Sequence, residues 1–408
     1  MLLDRNVSAL IQEYLGMFPC VVLLGPRQSG KTTLLSTLVP SRQRYDLELR
    51  ADFDQIATDP DLFLRTNTAD LAIDEAQLLP ELFPALRVAI DRDRSRMGRY
   101  VLTGSSSPKL LRHVSETLAG RVATIEISPF SFHEAAGVTQ QLPKLIMDRV
   151  SIHDLAAQLR YQSTVQITHD YWLKGGYPEP WLNSEDRFRQ LWMEQYVRSY
   201  VERDIGRLFH GIDPVRFRLF VQTLASLSGR IINYSEVARS LSVSQPTIRD
   251  YFEIADGTFL WRKVPAFEKD AVKRIVKHPR GYYRDCGLLN HLLRISTLND
   301  LISHPSLGGL WEGMVIEELI RGLKATGASF DYYYYRTSAG AEVDLILDGE
   351  FGLIPVEIKY TQTVAAKELR SIREFTAERK CRLGVVINND EKVRLYDDKI
   401  IGIPFNMI

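Results

Sequence analysis

The chain has 408 residues, 45% apolar and 25% charged, and its 51 Lys and Arg are balanced by 51 Asp and Glu. That make-up fits a globular protein of two to four domains and excludes a collagen-like, low-complexity or strongly basic chain. Three scattered cysteines, Cys20, Cys286 and Cys381, exclude a zinc ribbon and a disulfide scaffold. With no signal-peptide pattern and no apolar window of about 18 residues, the expectation is a cytoplasmic protein without a membrane span.

In chain order, CVVLLG at 20–25, YDLE at 45–48, DLAIDEA at 70–76, RYVLTGSS at 99–106 and VATIEISPF at 122–130 read as strands. Helical patterns lie between them, which predicts a mostly parallel α/β sheet over residues 1–130 with ligands at its carboxyl ends. Residues 131–212 read as a helical lid or connector, 213–300 as a compact helical module with two short strands, and 301–408 as a second α/β domain.

The first strand runs into GPRQSGKT, a complete G-x-x-x-x-G-K-[ST] phosphate loop with a helix behind it. In this reading the loop residues Gly25, Pro26, Arg27, Gln28, Ser29, Gly30, Lys31, Thr32 and Thr33 surround the phosphates, and all but Pro26 can offer a backbone amide. Lys31 reaches the β- and γ-phosphates and Thr32 holds Mg²⁺ through its hydroxyl. The strand LAID ends in Asp74 and Glu75: the first suits Mg²⁺, the second suits activation of water against the γ-phosphate. Thr103 and Ser105, closing the strand beside it, are candidates to orient that water. Arg121 is a candidate to neutralise transition-state charge, in its own chain or in a neighbour's site. Arg27 also suits a contact to the lid or to solvent.

GPRQSGKTTLL, LAIDEAQLLP, VLTGSSS and LAGRVATIEISPFSFHE, in this order, resemble the prokaryotic AAA+-type ATPases that carry a C-terminal domain of unknown function. The resemblance spans nearly the whole chain. It implies Walker A and Walker B roles for Lys31, Thr32, Asp74 and Glu75, a sensor-like role for Thr103, and ATP with Mg²⁺ as cofactors.

Farther along, SEVARSLSV and SQPTIRDYFEIADG read as two helices joined by a turn, with FLWRKVPAF supplying wing-like strands. This resembles a winged helix-turn-helix, which makes Gln245, Thr247 and Arg249 candidate DNA contacts. Asp250, Glu253 and Asp256 on the same helix oppose that reading, whereas the basic stretch 269–280 suits either a phosphate-tracking face or a solvated loop.

The last hundred residues give a helix with Glu312, Glu317 and Glu318, a strand with Asp344, a strand with Glu357 and Lys359, then a helix and a strand. Glu357 and Lys359, two apart on a strand, share a face. The order resembles the PD-(D/E)XK nuclease fold, with Val343-Asp344 in place of Pro-Asp, and implies a candidate site of Glu317, Asp344, Glu357 and Lys359. The expectation is an ATPase that couples hydrolysis to DNA processing. The alternative is a nucleotide-switched regulatory protein whose nuclease-like domain is inactive. The partners expected are ATP, DNA, a protein partner and further copies of the chain, and no membrane.

Overall fold

The computed structural model describes residues 3–38, 41–105, 117–200, 205, 209, 212–268, 278–338 and 340–408. The chain divides into two compact units, one of residues 4–129 and 254–259, the other of residues 1–3, 130–253 and 260–408.

In the smaller unit, β1 (Cys20–Gly25), β2 (Gln43–Asp46), β3 (Leu71–Asp74), β4 (Tyr100–Ser105) and β5 (Val122–Glu126) form one sheet in the order β2-β3-β4-β1-β5. All four pairings are parallel. Helices α1 (Ser8–Met17), α2 (Lys31–Leu38), α3 (Arg50–Ala57), α4 (Pro60–Thr66) and α5 (Leu82–Arg92) connect and cover it. β1 is buried at all six positions, as an apolar run with helices on both faces requires. Its two faces feed two cores: Val22 and Leu24 pack with Phe83 and Leu86 of α5, and Val21 and Leu23 pack with Leu34 and Leu35 of α2.

The larger unit begins with short helices α6 (Phe132–Ala136), α7 (Leu142–Met147), α8 (Ile152–Gln158), α9 (Val165–Lys174), α10 (Pro178–Leu182) and α11 (Asp186–Ser199). Helices α12 (Pro214–Leu227), α13 (Tyr234–Ser240) and α14 (Gln245–Gly257) follow, beside a small sheet of β6 (Arg230–Ile231), β7 (Trp261–Val264) and β8 (Arg280–Tyr283). After α15 (Cys286–Leu292), α16 (Leu298–Ile302) and the long α17 (Leu307–Ala325) comes a mixed sheet. Its strands are β9 (Phe330–Arg336), β10 (Glu342–Gly349), β11 (Gly352–Ile358), β12 (Gly384–Asn388), β13 (Arg394–Leu395) and β14 (Ile400–Pro404), in the order β13-β14-β12-β11-β10-β9. Helix α18 (Arg370–Glu378) links β11 to the parallel β12.

The segments 131–212, 213–300 and 301–408, expected as separate domains, share this one unit apart from residues 254–259. The reason is α17. On it, buried Glu318 accepts from the Phe132 amide at 2.8 Å and the Tyr171 hydroxyl at 2.7 Å, and buried Glu317 accepts from Arg262 Nη2 at 3.1 Å. Breaking such buried charge networks costs several kcal/mol, so the helix ties all three segments together. Among the described residues no helix is long and apolar enough to cross a membrane.

Candidate active site

The carboxyl ends of β1, β3 and β4 lie side by side and build one site. Gly25 ends β1 against the carbonyl of Ile127, where a Cβ would stand 1.9 Å from that oxygen. Gln28 and Gly30 take left-handed conformations, φ 59° and 89°, which curl the loop back on itself before α2. The hydroxyl of Ser29 donates to the Pro26 carbonyl at 2.9 Å. Arg5, which carries no motif, braces the loop from outside: Nη1 donates to the Ser29 carbonyl at 3.0 Å and Nη2 to the Ser128 carbonyl at 2.6 Å. Lys31 is buried and donates to the carbonyls of Gly25 at 3.0 Å and Pro26 at 2.8 Å. Burial lowers its pKa, against the pull of Glu75 and Asp74.

Across from the loop, the Thr32 hydroxyl donates to Asp74 Oδ2 at 2.6 Å. Thr103 donates to Asp74 Oδ1 and accepts from the Glu75 amide at 3.3 Å. Thr103 is buried and spends its hydroxyl on the carboxylate. It thus positions Asp74 and does not itself face a water. Glu75 sits in a left-handed turn, φ 53°, and its Oε2 accepts from the Ser105 hydroxyl at 3.0 Å and from Gln77. Gln77 also donates to Ser105 at 3.0 Å. Two oxygens, one hydroxyl and one carboxylate, in direct contact are a hard donor set of the kind Mg²⁺ takes. Thr33 is exposed on the first turn of α2, and Arg27 lies 3.6 Å from Glu48.

Arg121 is a correction to the in-chain role. It precedes β5, whose first residue pairs with Cys20 at the start of β1, whereas the loop follows Gly25 at the other end. That is about 17 Å of strand away. There Arg121 makes a two-pronged contact with Asp91 at 2.7 and 2.8 Å.

The candidate nuclease residues are brought together only in part. Asp344 Oδ2 accepts from the Ile358 amide at 2.8 Å, and the β9–β10 register slips between Val343 and Ile346, beside it. Lys359 Nζ lies 2.6 Å from Glu357 Oε1 and 3.8 Å from Asp344 Oδ2. Burial opposes the charge on Lys359, but Asp344 and Glu357 outweigh it and push its pKa up to about 12. Glu317 does not join them. It is held by Arg262, by Arg284 at 3.4 Å and by Arg321 at 3.6 Å. Burial pushes its carboxyl up, and these arginines more than offset it, so the pKa falls below the usual range. The helical acid that faces Asp344 is Glu312, which contacts Tyr282 and lies 3.1 Å from Arg280 Nη1. Arg280 also reaches Asp344 at 3.9 Å. Burial, then Asp344, raise both Glu312 and Glu357 well above the carboxylate range. Among the described residues no group of three His, Cys, Asp or Glu side chains is placed to hold a metal ion.

On α14, Gln245 donates to the Ser235 hydroxyl at 2.6 Å, Thr247 pairs with Ser244 at 2.8 Å, and the Arg249 guanidinium stands 4.9 Å from the Tyr234 ring centre. Residues 269–277 of the basic stretch lie outside the described residues.

Comparison with known proteins assigns the parts. Residues 17–136 match the AAA domain family, 165–299 a domain of unknown function (DUF8612) and 307–408 another (DUF4143). The uncharacterized protein Rv2008c of Mycobacterium tuberculosis is 32% identical over 407 residues, covering 99% of this chain and 84% of the relative. The uncharacterized protein MJ1544 of Methanocaldococcus jannaschii is 23% identical over 391 residues, 91% of this chain and 82% of that one. Among solved structures, the Walker-type ATPase PABY2304 of Pyrococcus abyssi has a TM-score of 0.42 at 16% identity, covering 72% of this chain and 96% of its own. A single-substitution variant of Thermotoga maritima RuvB has a TM-score of 0.31 at 17% identity, covering 67% and 95%. The front of the chain is thus an AAA domain that carries the phosphate loop.

Proposed function

This chain belongs to the family of the mycobacterial protein Rv2008c, and on that premise we propose that it is an Mg²⁺-dependent ATPase transferring the γ-phosphoryl group of ATP to water. The observation that carries the reading is the 2.6 Å contact between Thr32 and Asp74, made where the phosphate loop meets the end of β3. Loop amides from Gly25 to Thr33 and the Lys31 ammonium hold the phosphates, with Lys31 exchanging its two loop carbonyls for phosphate oxygens. Thr32 and Asp74 are the residues that would hold Mg²⁺, which supplies neutralisation of phosphate charge when bound. Glu75, gripped by Ser105 and Gln77, accepts the proton of the attacking water. Steady-state hydrolysis tests this. Lys31→Ala should lose ATP binding and turnover together, while Glu75→Gln keeps binding and loses about 10²–10⁴-fold in turnover. Full activity in Glu75→Gln would remove the general-base assignment. Arg121 completes no site in its own chain, so a role for it belongs to a homo-oligomer in which it leaves Asp91.

For the output of that ATPase, the paired acids of the larger unit favour nucleotide-switched capture of a protein partner without cleavage. Glu317 is locked by three arginines, and Glu357 is tied to Lys359 at 2.6 Å. A second reading, DNA processing by a nuclease-like site, is favoured by the convergence of Asp344, Glu357 and Lys359 at adjoining strand ends, with Glu312 in the place expected for Glu317. It requires Mg²⁺-dependent cleavage of DNA that Asp344→Ala abolishes. No cleavage of single- or double-stranded DNA, with ATP turnover intact, leaves partner capture standing.

A further inference from the structure

The larger unit contains a half-open pocket of about 520 Å³ between α9, α11, α15 and the segment that follows α15. Arg187, Arg189 and Arg294 line it, with Glu194 as the acid among its lining residues. His291 also lines it, and burial lowers that pKa, so near pH 7 the imidazole adds no charge. Three permanent cations thus stand against two carboxylates, Glu194 and the Asp186 paired with Arg189. Arg189 is only 7% exposed. Its Nη2 donates to the Ser296 carbonyl at 3.4 Å and lies 3.3 Å from Asp186 Oδ1, while its Nη1 has no hydrogen-bond partner among the described residues. A buried guanidinium normally has all its donors engaged, and an idle one costs stability unless a ligand engages it. Arg294 is held in a left-handed conformation, φ 60°, by its amide bond to the His291 carbonyl at 3.0 Å.

We propose that this pocket binds a small phosphate monoester, with Arg189 as the buried anchor and Arg187 and Arg294 at the mouth. Asp186 takes only Nη2 of Arg189, so its Nη1 and the guanidinium groups of Arg187 and Arg294 are left to meet a phosphate monoester's charge of about −2 at neutral pH. A guanidinium fork matches its oxygens two at a time. The volume is in the range of small-molecule sites, about 300–1,000 Å³, and leaves room beyond the phosphate for an organic body against Leu173 and Ile295. Every lining residue falls within 165–299, the stretch matched to a domain of unknown function, and none belongs to the phosphate loop. The site therefore stands whether or not the ATPase reading holds.

Calorimetric titration of the full chain carrying Lys31→Ala, which takes the phosphate loop out of the measurement, tests it with glucose 6-phosphate, inorganic phosphate and succinate. The expected result is saturable binding of glucose 6-phosphate, weaker binding of phosphate and weakest binding of succinate. Arg294→Gln, at an exposed position, should weaken glucose 6-phosphate about 10-fold, or about 1.4 kcal/mol, without changing the melting temperature. Arg189→Lys, which keeps the charge and loses the fork, should weaken it similarly. Absence of saturable binding of either phosphate overturns the proposal. So does binding that both substitutions leave unchanged, and so does succinate binding more tightly than the sugar phosphate.

Discussion

Asp74 is gripped from both of its oxygens, Oδ2 by Thr32 and Oδ1 by Thr103, and neither hydroxyl comes from its own strand. Replacing Thr103 by Val keeps the shape and strips one donor from a buried carboxylate. The expected cost is about 1–3 kcal/mol in urea unfolding, together with a higher Mg²⁺ requirement for ATP turnover. An unchanged Mg²⁺ requirement would mean that Thr103 only packs. Much at this scale was legible in the sequence, because the loop motif and the strand-end acids are local patterns. Arg121 was legible in part: a residue that precedes a parallel strand lies at the sheet's amino end, and that alone separates it from a loop that follows one. Gln77 and Arg5 were not legible, since their partners are fixed only by tertiary contact.

Elements explain where the sequence reading of the larger unit went astray. Glu312 and Glu317 both lie on α17, and five residues turn a helix by about 140° past a full turn, so they face different neighbours. Nothing local to the helix chooses between them; the positions of Arg262, Arg280 and Arg284 do. The parallel strands of the smaller unit, by contrast, were read within a few residues, because β1 and its neighbours are short apolar runs closed by turn residues. One joint between elements is especially intolerant of change. Gly25 of β1 meets the Ile127 carbonyl so closely that Gly25→Ala should cost about 3 kcal/mol and abolish nucleotide binding, read by thermal unfolding with and without ATP.

At the scale of the whole molecule, stability should depend on pH in the mildly acidic range. His133 is buried, and its Nδ1 has no hydrogen-bond partner among the described residues. Burial lowers its pKa to about 3, against roughly 6.5 in an unfolded chain. The folded state therefore holds fewer protons between those values. Its contribution is complete above pH ~6.5 and is lost as pH falls toward ~3, by at most about 1.4 kcal/mol per pH unit. As pH falls from 7 to 5, the urea midpoint of His133→Phe should rise relative to that of the native chain, because the raised carboxyls of Glu312 and Glu357, which act in the opposite sense, are common to both. Glu317 adds loss of the same sign at lower pH, below ~4.3, where the unfolded carboxyl takes up its proton and the arginine-held one does not. The order of strands has a consequence of another kind. β4 lies between β1 and β3 and pairs with both, although it follows them in the chain. On the ribosome, the loop and the acid therefore emerge as two separate halves, and the strand that joins them is delivered last. The ~70 residues from Lys31 to Ser105 take roughly 4–15 s to make at ~5–20 residues per second. Through that interval the nascent chain has a phosphate loop with nothing opposite it, and ATP can act as a folding ligand only once Ser105 is out.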